Sequence, residues 1–171
     1  RGWLKIQDGC ARRCSFCATR LARGASRSRP TEVVVREAAL LARTHPELVL
    51  TGIHIGHYGL DLDPASSLSL LLAALLDRVP DVRFRLGSVE ATEVDSLLLD
   101  LMAGAGGRVA PHLHMPLQSG SNTVLGRMGR RYTADLFAHT VGLIREQAPE
   151  ASITTDVLTG FPGESDEEFQ E

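Results

Sequence analysis

Short apolar runs alternate with helix-period segments along all 171 residues, and this alternation restricts the fold more than any other feature. "WLKIQ" (3–7) reads as a strand. After Pro30 and Thr31 a helix follows, with Val34, Ala38 and Leu41 on one face. "ELVLTGI" (47–53) is a continuous apolar run ended by Gly52 and Gly56, as in a strand covered on both faces. Leu68, Leu71, Leu72, Leu75, Leu76 and Val79 then recur at a helical period until Pro80 stops them. "VRFRLGS" (82–88) is a third strand, and Thr92 with Asp95 predicts a capping box for a helix carrying Val94, Leu97, Leu98 and Leu101. "RVAPHLHMPL" (108–117) supplies a fourth strand, whose ladder Pro111 and Pro116 confine to the middle. A helix over 133–147 is expected to bury Leu136, Phe137, Thr140 or Val141, and Ile144. A fifth strand, "SITTDVL" (152–158), precedes "TGFPGE", and Ser165 with Glu168 opens a further helix. Five strand–helix repeats in this order mean parallel strands with right-handed crossovers. An open doubly wound sheet and part of a barrel both fit.

A composition 43% hydrophobic and 23% charged belongs to a globular chain, and no apolar run reaches the ~20 residues of a membrane span. With no signal-peptide pattern, the chain reads as cytoplasmic, without a membrane partner. The net charge of −3 is unevenly laid out: residues 1–36 sum to +7 and the rest to −10. A local positive field therefore surrounds the first loop, which suits an anionic partner.

That loop, "GCARRCSFCATR" (9–20), holds all three cysteines, Cys10, Cys14 and Cys17. An odd number of thiols within eight positions is no disulfide framework; it is a pattern for metal or chemistry. Two inorganic centres fit the spacing. Zinc would need a fourth ligand, with His45, His54, His57, His112 or His114 as candidates, and would make a closed site. An iron–sulfur cluster held by three thiolates keeps one iron open to a ligand. A zinc module with a basic loop for nucleic acid is thus the alternative to an enzyme.

Cys10-x3-Cys14-x-Phe16-Cys17 after a first strand resembles the signature of the radical S-adenosylmethionine (SAM) superfamily. "RGASRSRP" (23–30), "LTGIHIGHYGLDL" (50–62), "HLHMPLQSGSNTVLGRMGRRYT" (112–133) and "TDVLTGFPGESDEEF" (155–169) extend the likeness to the methylthiotransferases. The resemblance implies an α/β fold, a partial TIM-like (β/α) barrel with parallel strands and crossover helices. It also implies a [4Fe-4S] cluster on Cys10, Cys14 and Cys17 that binds SAM at its free iron. One electron then cleaves SAM to a 5′-deoxyadenosyl radical, which opens a carbon to methylthiolation. Phe16, Gly52, Glu90, Gln118, Arg130, Asp156 and Gly160 match cofactor-contacting positions of that family. A tight turn is the alternative for Gly52 and Gly160, and an ion pair or cap for Glu90 and Arg130. His112 and His114 share one strand face, either lining the cavity or satisfied in the core. Arg20, Arg23, Arg27 and Arg29 are candidates for RNA phosphates.

Within the family, "TGIHIGHYG" and "SVEATEV" look more like the threonylcarbamoyladenosine branch than the isopentenyladenosine branch or the modifiers of a ribosomal-protein aspartate. The implied partners are tRNA, SAM and a flavodoxin-like or similar electron donor. Ala11, and Ala18, Thr19 and Arg20, depart from the family's usual loop residues but spare the cysteines. Residues 1–171 are expected to be a radical SAM core fragment. The auxiliary-cluster domain, the last barrel strand and the RNA-binding domain lie outside it, and the isolated piece is expected to be inactive.

Overall fold

The computed structural model describes residues 1–171. The chain runs through strands β1 (Gly2–Lys5) and β2 (Gln7–Asp8), helix α1 (Thr19–Arg23), β3 (Arg27–Ser28), α2 (Thr31–Ala42), β4 (Glu47–Thr51) and α3 (Leu68–Arg78). It continues through β5 (Arg83–Leu86), α4 (Ser96–Gly104), β6 (His112–His114), α5 (Asn122–Arg127), α6 (Ala134–Gln147), β7 (Ser152–Thr154) and α7 (Asp166–Gln170). Single 3-10 turns follow β4 (Ile55–His57) and β5 (Ala91–Glu93).

β4 pairs in parallel with β1 on one side and β5 on the other, and β6 pairs in parallel with β7. The two sheets meet where Phe84 bridges Val109 and Ser88 bridges His114, again in parallel. Spatial order therefore follows chain order without reversal. A doubly wound sheet reverses direction at its switch point; this one winds one way, as a partial barrel does.

Alternation along the strands assigns the two faces. Leu4, Leu48, Leu50, Phe84, Leu86 and Leu113 are at most 3% exposed and face the helices. There they meet Val34 and Ala38 of α2, Leu71, Leu72 and Leu75 of α3, Leu98 of α4 and Ile144 of α6. Burial of each large apolar side chain contributes about 1.5–3 kcal/mol, so this layer supplies most of the driving force. The intervening residues share the inner face: Trp3 and Lys5, Val49 and Thr51, Arg83 and Arg85, His112 and His114.

The elements depart from expectation where local signals compete. The 3–7 strand divides at Ile6, since Gln7–Asp8 turns away to pair antiparallel with Arg27–Ser28. The Thr92–Asp95 box does not form. Instead Glu90 and Glu93 box the 3-10 turn, and Asp95 caps α4 by accepting from the Leu98 N–H. Leu136 on α6 is exposed, while Thr140 and Ile144 are buried, because the helix meets the core further along its length. The cap of α7 forms as a Ser165–Glu168 box.

Candidate active site

All five parallel strands end on the same side, and the loops leaving those ends build one cleft. β2 and β3 form the base of the cysteine loop. Gly9 sits there at φ +71°, where a Cβ would stand 2.0 Å from the Ala25 carbonyl oxygen, so only glycine fits. The Cys10 N–H donates to the Gly24 carbonyl at 3.0 Å and closes the loop. Its tip docks on the end of α5: the Ser15 N–H donates to Met128 O, and its hydroxyl to Arg127 O. The three cysteines are free thiols, and with Phe16 they line a cleft of about 170 Å³.

Gln7, which sequence reasoning missed, fastens this loop to β4. Its buried amide oxygen accepts the N–H groups of Ile53 and His54 at 3.0 and 2.9 Å. Its amide nitrogen donates to Gly9 O and Ser26 Oγ. Gly52 packs on this joint, where a Cβ would meet Gln7 O and Oε1 at 2.9 Å.

Beneath the cysteines lies a buried charge network drawn from four loops. Glu90 accepts from Arg12 at 2.8 Å and pairs with Arg130 at 2.9 Å, and Glu93 accepts from His54 Nε2 at 2.6 Å. His57 stacks on His54 with ring centroids 4.0 Å apart. The network reaches the sulfurs directly: His54 Nδ1 lies 3.6 Å from Cys10 Sγ, and Arg130 Nη1 donates to Cys14 Sγ at 3.5 Å. Burial pushes the Cys10 thiol up, against the Arg12 N–H that favours its thiolate. Burial opposes the Glu93 charge most strongly, but the hydrogen bond and charge interaction with His54, the Glu90 N–H and His57 together outweigh it and hold the carboxyl below its ordinary range. Burial and neighbouring His54 lower His57. Arg12 gave no distinct sequence signal, an arginine in a basic loop being common, and His54, a candidate zinc ligand in the sequence, stands between Glu93 and Cys10.

Of the residues singled out from the sequence, Cys10, Cys14, Cys17, Phe16, Glu90, Gln118 and Arg130 stand on the wall of this cleft. Gln118 takes a left-handed backbone at φ 73°, a conformation costing about 1 kcal/mol, held by bonds to Asp156 O and from the Leu158 N–H. Gly52 lies behind the wall. Asp156 stands on β7's exit, 71% exposed and paired with His114 at 3.2 Å. Gly160 is an exposed turn, its N–H bonded to Glu164. His112 and His114 both meet Thr154 Oγ1 at 3.1 Å on the inner sheet face. Arg20, Arg23 and Arg27 are exposed beside the loop, whereas Arg29 is tied to Glu37.

The donor set separates the two inorganic readings. Thiolates on one zinc ion stand about 3.8 Å apart, given Zn–S bonds of ~2.3 Å. The one group of three or more ligand residues whose donor atoms lie within 4.8 Å of one another is His54, His57 and Glu93, not the cysteines. The sulfurs ring the cleft more widely, as suits a group offering a separate iron to each.

The family model of the radical SAM superfamily matches residues 4–171. The chain belongs to the radical SAM superfamily. Superfamily members use a [4Fe-4S] cluster and SAM, and the three-thiol cleft fits such a cluster. The chain is 43% identical to the threonylcarbamoyladenosine tRNA methylthiotransferase MtaB of Bacillus subtilis, over all of this chain and 38% of that protein. It is 42% identical to MtaB of Thermotoga maritima (99% and 39%), and 36% identical to tRNA-2-methylthio-N(6)-dimethylallyladenosine synthase of Staphylococcus aureus (100% and 33%). This radical SAM chain thus spans about two-fifths or less of the length of the curated relatives it matches. Among solved structures, the cobalamin-dependent SAM radical enzyme OxsB with SAM bound superposes with a TM-score of 0.67 over 91% of this chain and 23% of that one, at 16% identity. Methylornithine synthase superposes at 0.57 over 93% and 44%, at 15% identity. Both likenesses are of fold.

Proposed function

We propose that residues 1–171 are the SAM-cleaving core of a tRNA methylthiotransferase that modifies threonylcarbamoyladenosine beside the anticodon. The observation that carries this reading is the cleft itself: three free thiols from one loop share a wall with Glu90, Gln118 and Arg130. The greater identity to the MtaB proteins than to the dimethylallyladenosine synthase favours the threonylcarbamoyl branch.

In this reading Cys10, Cys14 and Cys17 hold the [4Fe-4S] cluster, which supplies the electron that cleaves SAM to a deoxyadenosyl radical. Phe16 walls the cofactor against water, and Glu90, Gln118 and Arg130 present polar groups toward it. The backbone around Gly52 and Gly160, with Asp156, completes the cofactor surface. The inner sheet face receives the modified base, and Arg20, Arg23 and Arg27 meet tRNA phosphates. The 171 residues act within a longer cytoplasmic protein whose other domains supply an auxiliary cluster and RNA binding, with a flavodoxin-like electron donor.

The test is nucleoside mass spectrometry on tRNA lacking the methylthio group, after anaerobic incubation with the reconstituted full-length protein, SAM and reductant. Gain of one methylthio group on threonylcarbamoyladenosine is expected. Gain on isopentenyladenosine, or on a ribosomal-protein aspartate instead, overturns the branch assignment. Absence of all three, with SAM still cleaved, overturns methylthiolation.

A further inference from the structure

We infer that Arg130 is a positioning residue for the Cys14 sulfur, donating an N–H to it and so raising the reduction potential of the cluster on these cysteines. This rests on the proposed reading of Cys10, Cys14 and Cys17 as cluster ligands. A guanidinium carries only donors and stays charged, so its 3.5 Å contact with Cys14 Sγ has one polarity: nitrogen gives and sulfur receives.

The arginine is held for this contact. Its side chain is 7% exposed. Nη1 donates to Cys14 Sγ and forms an ion pair with Glu90 Oε1 at 2.9 Å. Nε donates to Tyr132 Oη at 2.9 Å, and the guanidinium carbon lies 4.9 Å from the centre of the Tyr132 ring. The Tyr132 hydroxyl in turn bonds Pro116 O at 2.7 Å. Glu90 and Tyr132 thus hold the fork from two sides, and β6's exit holds Tyr132 in turn.

A buried cation beside a ligand sulfur draws electron density from it and favours the cluster state with one more electron. Hydrogen bonds to cluster sulfurs are a recognised control on potential. The three thiols are unequally served. Cys14 has the Arg130 cation, Cys10 has the Arg12 backbone N–H at 3.4 Å with His54 beyond it, and exposed Cys17 has no side-chain donor.

The experiment uses the full-length protein, reconstituted anaerobically with iron and sulfide and titrated with dithionite under electron paramagnetic resonance. Wild type, Arg130→Gln, Arg130→Lys and Arg36→Gln are compared; Arg36 is an exposed arginine on α2. With the auxiliary cluster and the cluster on Cys10, Cys14 and Cys17 both loaded, the four-iron signal that SAM perturbs is expected to titrate at a more negative potential in Arg130→Gln, between that and wild type in Arg130→Lys, and with wild type in Arg36→Gln. A fully loaded Arg130→Gln that titrates with wild type overturns the inference, as does an equal shift in Arg36→Gln. If Arg130→Gln does not load the cluster that SAM perturbs, Arg130→Lys decides: a negative shift supports the contact and a wild-type midpoint refutes it. A wild-type protein that shows no four-iron signal perturbed by SAM refutes the cysteine reading and the inference together, which marks that failure apart from the others.

Discussion

Two buried carboxylates sit at opposite ends of the same sheet, each ringed by arginines, and they differ in what else is present. At the amino end, Glu47 of β4 accepts from Arg83 and Arg85 at 2.9 and 3.2 Å and forms an ion pair with Arg1 at 2.6 Å. Arg83 and Arg85 are its cross-strand neighbours on β5, so the cluster is built from adjacent strands and points to no cavity. At the carboxyl end, Glu90 pairs with Arg12 and Arg130, which come from distant loops, and both thiols and a cleft adjoin it. Equal chemistry thus serves two ends: stability at the bottom of the strands, a site at the top.

Substitutions at the two ends should separate accordingly. The largest effect is expected from Cys10→Ala, Cys14→Ala or Cys17→Ala, each abolishing four-iron binding while leaving the unfolding midpoint of the metal-free protein within error. Iron analysis and urea unfolding check the two halves. Glu90→Gln comes next. It leaves the Arg12 and Arg130 guanidiniums, 13% and 7% exposed, short of a counter-charge, at about 3 kcal/mol, and it weakens SAM binding in equilibrium dialysis. Glu47→Gln is expected to cost about 1–2 kcal/mol by urea unfolding, because Arg1 and Arg83 are half exposed, and to leave iron content unchanged. Iron loss in Glu47→Gln would erase the distinction between the two ends.

The smallest effect concerns pH. Burial opposes the Glu47 charge, but hydrogen bonds from Arg85 and Arg83 hold its carboxyl below the ordinary 4.5. A lowered carboxylate contributes stability above the unfolded value and loses it as pH falls through the folded one. The gap between wild type and Glu47→Gln should therefore be full above pH 4.5 and close below it, in unfolding measured across that range.

The order of strands and helices was legible because each buries a periodic apolar face, and the cysteines because their spacing has few uses. Four short elements were not: β2, β3, α1 and α5, of two to six residues, carry too little pattern for a period to show. The loop after β5 misled for another reason. Thr92–Asp95 and Glu90–Glu93 are both box-like, and the Arg12 and Arg130 charges that draw Glu90 inward arrive from other parts of the chain. Gln7 was invisible likewise: a strand glutamine reveals its five bonds only when β4 lies beside it.

The Cys14–Arg130 contact spans 116 residues, and this separation orders events during synthesis. The thiols leave the ribosome well before the arginine that steadies one of them, and a contact so distant waits for the strands between to assemble. Until then the cysteine loop has its β2–β3 base but not its α5 dock. The nascent chain thus passes through an interval in which its most reactive groups are least protected, and iron delivery belongs after that interval closes.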